Sequence, residues 1–147
     1  MPFERTLQVP WSLIDMNGHL ANTGYLNLAI DARMLYFQSQ GFMPADFARA
    51  GIGPVLRREE IDYFRELRLL DKVRVSLALA GVSPDGARFK LVTELRREDG
   101  ELCARVIALG GWLDLKARKL AAPPAALAKA LLALERTEGF EELKPVA

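Results

Sequence analysis

The sequence predicts an α+β domain in which a five-stranded antiparallel sheet wraps a long central helix. Three observations carry this. One helical segment, 23–40, is apolar on nearly every side, and a helix of that kind has to be buried. Four later segments are long and alternate apolar with polar residues, as strands half-covered on one face do. Turn residues sit between them where hairpins need them.

The first element is read as a strand over 6–13. Leu7, Val9, Trp11 and Leu13 alternate with Thr6, Gln8, Pro10 and Ser12. Pro10 cannot donate to a ladder, so the strand belongs at an edge or carries a bulge. Residues 14–21 form a loop, and Asn22 or Thr23 is placed to cap the following helix. That helix runs to Gln40 and stops at Gly41, a suitable residue just past a helix end. Asp31 and Arg33 are expected at its margin or at a subunit contact. A short second helix spans 43–51, with Pro44 in its first turn, and Gly51-Ile52-Gly53-Pro54 reads as a turn. Strands are expected over 55–67, 72–82, 87–97 and 101–115. Ser83-Pro84-Asp85-Gly86 and Arg97-Glu98-Asp99-Gly100 form the hairpin turns between the last three. Residues 121–126 are a Pro/Ala linker, 125–135 a terminal helix, and the polar remainder is expected to fray. An exposed sheet edge invites pairing across a dimer.

Composition narrows the function. The chain has 147 residues, the size of one domain, with 20 basic and 19 acidic residues. A net charge of +1 gives no electrostatic reason to expect nucleic acid or an anionic membrane. One cysteine, Cys103, excludes an intrachain disulfide framework and fits a reducing, cytoplasmic setting. One histidine and one cysteine make a conventional zinc site improbable. The N-terminus has no apolar targeting run, and the apolar stretch over 120–134 is broken by Pro123-Pro124.

The chemistry concentrates in Asp15-Met16-Asn17-Gly18-His19, just before the central helix, which holds the only histidine of the chain. A carboxylate, an amide and an imidazole lie two residues apart. On spacing alone, Asp15 with Asn17-Gly18 also reads as a tight turn in which Asx side chains bond their own backbone. His19 alone also reads as a structural histidine, and Glu66, among Arg65 and Arg68, as a solvated salt-bridge partner. Cys103 reads as a small buried hydrophobe. Arg57, Arg58, Arg65, Arg68, Arg88 and Lys90 are interspersed with Glu59, Glu60 and Glu66, which reads as a mixed surface.

The order of elements, together with Asp15-x-Asn17-x-His19 followed by Asn22 and Tyr25, resembles the hotdog-fold acyl-CoA thioesterases. The likeness is to the 4-hydroxybenzoyl-CoA thioesterase-like branch and the related acyl-carrier-protein thioesterases. Ile61-Asp62-Tyr63-Phe64-Arg65-Glu66-Leu67 adds to the likeness, which covers about residues 5–120 and departs from many relatives at Ala21. The resemblance implies a homodimer, often paired into a tetramer, with active sites between subunits. It implies an acyl-CoA or acyl-carrier-protein substrate, hydrolysis to acid and thiol, and a place in fatty acid metabolism. By position, Asp15 matches the catalytic acid, Asn17 and His19 its polar partners, and Glu66 a further carboxylate.

These residue types suit thioester hydrolysis. Asp15 can act as general base or as nucleophile, and the sequence leaves both open. The first amides of the helix, at Asn22, Thr23, Gly24 and Tyr25, are unpaired and lie at the positive end of its dipole, where they can form an oxyanion hole. His19 can orient Asp15 or protonate the leaving thiolate. No metal or other cofactor is required. Two other functions share the pattern: hydration or dehydration of an acyl thioester, and non-catalytic acyl-CoA sensing.

Overall fold

The computed structural model describes residues 2–145. The chain order is β1 (Phe3–Gln8), a 3-10 turn (Trp11–Leu13), α1 (Asn22–Ser39), α2 (Pro44–Ala50), β2 (Ile52–Tyr63) and β3 (Lys72–Val82). Then follow β4 (Arg88–Arg97), β5 (Leu102–Asp114), β6 (Lys119–Leu120), α3 (Ala125–Leu132) and β7 (Arg136–Glu142). The main sheet path is β1-β3-β4-β5-β2, with every neighbour antiparallel. Two strands join off this path: β6 pairs with β5, and β7 runs parallel to β3. The sheet curls over α1, an 18-residue helix that packs against β1, β3, β4 and β5.

The core divides along α1. Near its N-terminus, Leu20, Tyr25, Leu28, Ala29 and Ala32 pack with Val73, Val75, Leu95 and Val106 of the sheet. Toward its C-terminus, Tyr36 and Phe37 meet Phe47 of α2, Phe89, Trp112, and Leu127 and Leu131 of α3. Trp112 is fully buried there, stacked on Phe47 and edge-on to Phe37. The offset and edge contacts match the quadrupoles of the rings. The Tyr36 hydroxyl ties α1 to α3 by donating to the Ala130 carbonyl.

Several expectations need correction. The first strand ends at Gln8, because Pro10 has no N–H to continue the ladder, and the chain turns into the 3-10 segment. The helix is capped by Ala21, not by Asn22 or Thr23, and no side chain caps it. The Ala21 amide donates to the Leu13 carbonyl and Leu20 is held by Leu67, so helical geometry begins one residue early. α1 is not covered all round: Asn27, Ile30, Asp31, Met34 and Gln38 form an exposed face. Asp31 lies at the margin as expected, whereas Arg33 is buried beside Glu59 of β2. Of the turn expected at 51–54 only Gly51 turns, at the end of α2, and strand begins at Ile52, tolerable for Pro54 because β2 is an edge strand. β2 ends at Tyr63, and Phe64 and Arg65 both donate their amides to the Cys103 carbonyl as the chain departs. The C-terminal region expected to fray forms β7. Its Leu79–Val82 partner segment on β3 lies beyond the stretch covered by β1, which leaves those backbone groups open to pairing.

Glycines fix the closest approaches. A Cβ on Gly110 would lie 2.3 Å from the Val55 carbonyl oxygen of β2, whereas one on Gly139 meets nothing within 4 Å. Gly110→Ala is therefore expected to destabilise the fold by about 1–3 kcal/mol, the usual cost of overpacking. Gly139→Ala serves as the near-neutral control, and the urea midpoints of the two variants against wild type make the comparison.

Candidate active site

The Asp15 segment is a tight hairpin loop. The Asp15 amide donates to the His19 carbonyl at 2.8 Å and the Gly18 amide to the Asp15 carbonyl at 3.1 Å. Gly18 takes φ +77°, a left-handed conformation that disfavours side chains. Ile14 bridges Leu20 across the loop, and His19 bridges Arg68 on the segment leaving β2. Oδ1 of Asp15 accepts the amides of Asn17 (2.8 Å) and His19 (3.1 Å). This is the Asx-type turn that the sequence allows. It uses one carboxylate oxygen only, and Oδ2 has no hydrogen-bond partner among the described residues. Turn and reactive carboxylate are thus compatible readings. Asp15 and Asn17 are exposed and His19 is half-buried.

Leu20 carries the loop into the helix. Its amide donates to the Leu67 carbonyl at 2.6 Å, and its side chain fills the space that a Cβ on Gly24 would need, at 2.3 Å. Gly24 is thus small because of Leu20. Its amide is also occupied, donating to the Ala21 carbonyl at 2.8 Å. This removes Gly24 from the expected oxyanion donors. Asn22 and Thr23 are exposed, and their amides lack partners among the described residues, as the first amides of a helix do.

Tyr25 is buried in the core, and its hydroxyl donates to the Arg65 carbonyl at 3.0 Å. Burial pushes its phenol above the ordinary tyrosine range, and the charge of nearby Glu66 adds to the effect. Tyr63 was not among the expected site residues. Its hydroxyl donates to the Asn22 carbonyl at 3.2 Å, and its ring stands edge-on to Tyr25, 5.1 Å between centroids. The two tyrosines pin the 63–66 segment to the helix start. The signal was present in Asp62-Tyr63-Phe64, but an aromatic at a strand end carries no mark of its partner.

Glu66 is exposed and bonded by Arg68 at 3.0 Å. That hydrogen bond, with the nearby His19, holds its carboxyl below the ordinary glutamate range. Arg68 was likewise read only as background charge. The structure thus brings His19, Glu66 and Arg68 together beside the Asp15 turn, and places Asn22 and Thr23 at the adjoining helix start. Cys103 is buried in the core, where desolvation raises its thiol, an arrangement that disfavours a nucleophile. Among the described residues no three His, Cys, Asp or Glu side chains cluster as a metal site requires, and no helix is long and apolar enough to cross a membrane.

The model of the thioesterase-like superfamily matches residues 9–131. The chain belongs to the thioesterase-like superfamily. Membership makes it a thioester hydrolase by class. Solved structures share its fold at low identity. A Staphylococcus aureus protein in complex with CoA is 23% identical, with a TM-score of 0.82 over 90% of this chain and 82% of its own. The 1,4-dihydroxy-2-naphthoyl-CoA thioesterase of Synechocystis is 22% identical, with a TM-score of 0.81 over 91% and 98%. A DHNA-CoA thioesterase from Staphylococcus aureus is 20% identical, with a TM-score of 0.73 over 81% and 78%. No curated protein sequence matches the chain.

The Arg68–Glu66 bond makes a direct prediction. In Arg68→Gln the Glu66 carboxyl is expected to titrate at higher pH than in wild type, because its largest stabilising partner is gone. Carbon-detected NMR titration of the glutamate side chains reads this shift.

Proposed function

We propose that this thioesterase-superfamily chain hydrolyses an acyl-CoA, or an acyl-carrier-protein thioester, at the Asp15 turn. The observation that carries the reading is the state of the Asp15 carboxylate. One oxygen is fixed by two backbone amides and the other is unengaged, beside a helix start with spare donors. As general base, Oδ2 takes a proton from water while the oxygen attacks the thioester carbon. As nucleophile, it attacks directly, and water then hydrolyses the anhydride. Either route places negative charge on the former carbonyl oxygen, which the amides of Asn22 and Thr23 suit. Collapse expels the thiolate; in the general-base route the proton taken by Asp15 passes to it through His19, and in the nucleophile route His19 in its protonated form supplies the proton and regains one from the hydrolytic water. Asn17 orients water or the carboxylate. Glu66, ionised and bonded to Arg68, orients His19. Tyr25 supports the site by fixing its backbone. No cofactor beyond the CoA of the substrate enters this scheme.

The site lies at the open surface of a single chain, and we place a second copy beside it. β2 is an edge strand, and antiparallel pairing along it lays its 55–57 end beside the Tyr63 end of its partner. A cavity of about 400 Å³ opens at that first end, lined in part by Val55, Arg57, Arg88, Gly111 and Lys144. Arg57, Arg88 and Lys144 have no acidic partner among the described residues, which suits the phosphates of a CoA thioester.

Free-thiol release from a panel of short, long and aromatic acyl-CoAs tests the assignment. Asp15→Asn is expected to lower kcat by at least about 10²-fold with the oligomer unchanged. Equal turnover in both proteins would remove Asp15 from the chemistry and turn attention to His19 and Glu66. Enoyl–hydroxyacyl interconversion without thiol release would identify a hydratase. Saturable binding with no turnover would identify a sensor.

A further inference from the structure

The two amides suited to the oxyanion differ in what stands behind them. A peptide group is planar and conjugated, so the N–H of one residue shares its electrons with the carbonyl of the residue before. The Asn22 N–H shares a peptide with the Ala21 carbonyl, which accepts the Gly24 amide at 2.8 Å. The Thr23 N–H shares one with the Asn22 carbonyl, which accepts the Tyr63 hydroxyl at 3.2 Å. In an α-helix that carbonyl also faces the amide four residues on, and its second lone pair is open to the hydroxyl. One donor is therefore backed by the main chain. The other is backed by a side chain at a strand end, 41 positions along the chain.

Tyr63 is held for this contact. It closes β2 opposite Ala104 of β5, and the amides of the next two residues, Phe64 and Arg65, both bond the Cys103 carbonyl. The buried Tyr25 meets its ring edge-on and bonds the Arg65 carbonyl at 3.0 Å. The Tyr63 side chain is itself half-buried, and it adds less to the core than Tyr25 and Tyr36 of α1 do. Its hydroxyl bond is slack, longer than the usual O–H···O range of about 2.5–3.0 Å. A slack bond has room to strengthen. When the Thr23 N–H donates to a negative oxygen, electron density moves onto the Asn22 carbonyl oxygen, which becomes a better acceptor for the phenol. Hydrogen bonds in series reinforce one another in this way.

We propose that Tyr63 is a positioning residue for the oxyanion donor: its hydroxyl orients the Asn22–Thr23 peptide and polarises the Thr23 N–H. The neutral carbonyl of a bound thioester draws little on this relay. The negative oxygen formed by attack draws on it fully. Stabilisation that grows with that charge lowers the barrier and leaves ground-state binding unchanged. The phenol touches no reacting atom in this role. The inference rests on the hydrolytic reading above, and on the Thr23 amide within it.

Tyr63→Phe keeps the ring against Tyr25 and removes the hydroxyl alone. In free-thiol release its kcat is expected to fall about 3–10-fold, less than on loss of an oxyanion donor itself, with KM within about twofold of wild type. Amide NMR of the free proteins supplies a readout independent of turnover. The Thr23 resonance is expected to move upfield in proton and nitrogen more than any other amide of α1, because the lost bond returns electron density to that nitrogen. The urea midpoint is expected to stay at the wild-type value. A kcat within about twofold of wild type, or a rise in KM in place of the fall in kcat, overturns the positioning role and leaves the hydrolytic reading standing. An unmoved Thr23 resonance does the same, as does a lowered urea midpoint with shifts spread along α1, which assigns Tyr63 to folding. Wild type that releases no thiol from any acyl-CoA or acyl-carrier-protein thioester overturns both.

Discussion

Leu20 is the contact on which the site depends. Its amide is bound to the Leu67 carbonyl, and its side chain occupies the volume made free by Gly24. That single residue joins the Asp15 turn and the adjoining start of α1 to the stretch leaving β2, which is remote in sequence. Its burial at 3% exposure supplies an apolar anchor directly beneath polar groups that are themselves open to solvent. A reactive carboxylate on a loop is useful only if the loop is held within fractions of an ångström. Here the holding is done by an aliphatic side chain and by backbone bonds, which leaves the second oxygen of Asp15 unengaged.

The two tyrosines extend that scaffold. Tyr25 reaches from the helix to the Arg65 carbonyl, and Tyr63 reaches back to the Asn22 carbonyl, so the two segments are tied in both directions. Their edge-to-face contact adds rigidity at small entropic cost, since each ring has few rotatable bonds. Arg68 then holds the Glu66 carboxyl below the ordinary glutamate range from outside this frame. The functional groups are thus at the surface and their restraints lie one layer below.

Much of this was legible in the sequence, for physical reasons that can be named. The strict alternation of Val73 to Leu79 and of Phe89 to Leu95 marked β3 and β4, and β3 was placed at its observed ends. Asp-Gly and Pro-Asp-Gly turns fixed the hairpins, because positive φ at Gly86 and Gly100 leaves few alternatives. The Asp15 turn was legible through Gly18 and the Asx pair. What escaped were features decided by distant partners. Ala21 caps the helix because Leu13 captures its amide, and no propensity scale contains Leu13. Gly24 was read among the free first amides of the helix, yet its amide is taken by Ala21 and its missing side chain makes room for Leu20. Residues 136–142 are too polar to announce a strand, and they become one only because β3 offers them an unpaired edge. The burial of Arg33 escaped for the same reason: it depends on Glu59, 26 positions on in the chain.

The two tryptophans stand in opposite surroundings. Trp112 is sealed in the aromatic cluster at the far end of α1, while Trp11 is 76% exposed in the 3-10 turn, four positions before Asp15. Their emission therefore separates by colour and by access to a quencher. A soluble quencher strips the red-shifted Trp11 signal and leaves that of Trp112. The chain carries its own pair of optical reporters, one for the integrity of the core and one for events near the Asp15 turn, with no label attached.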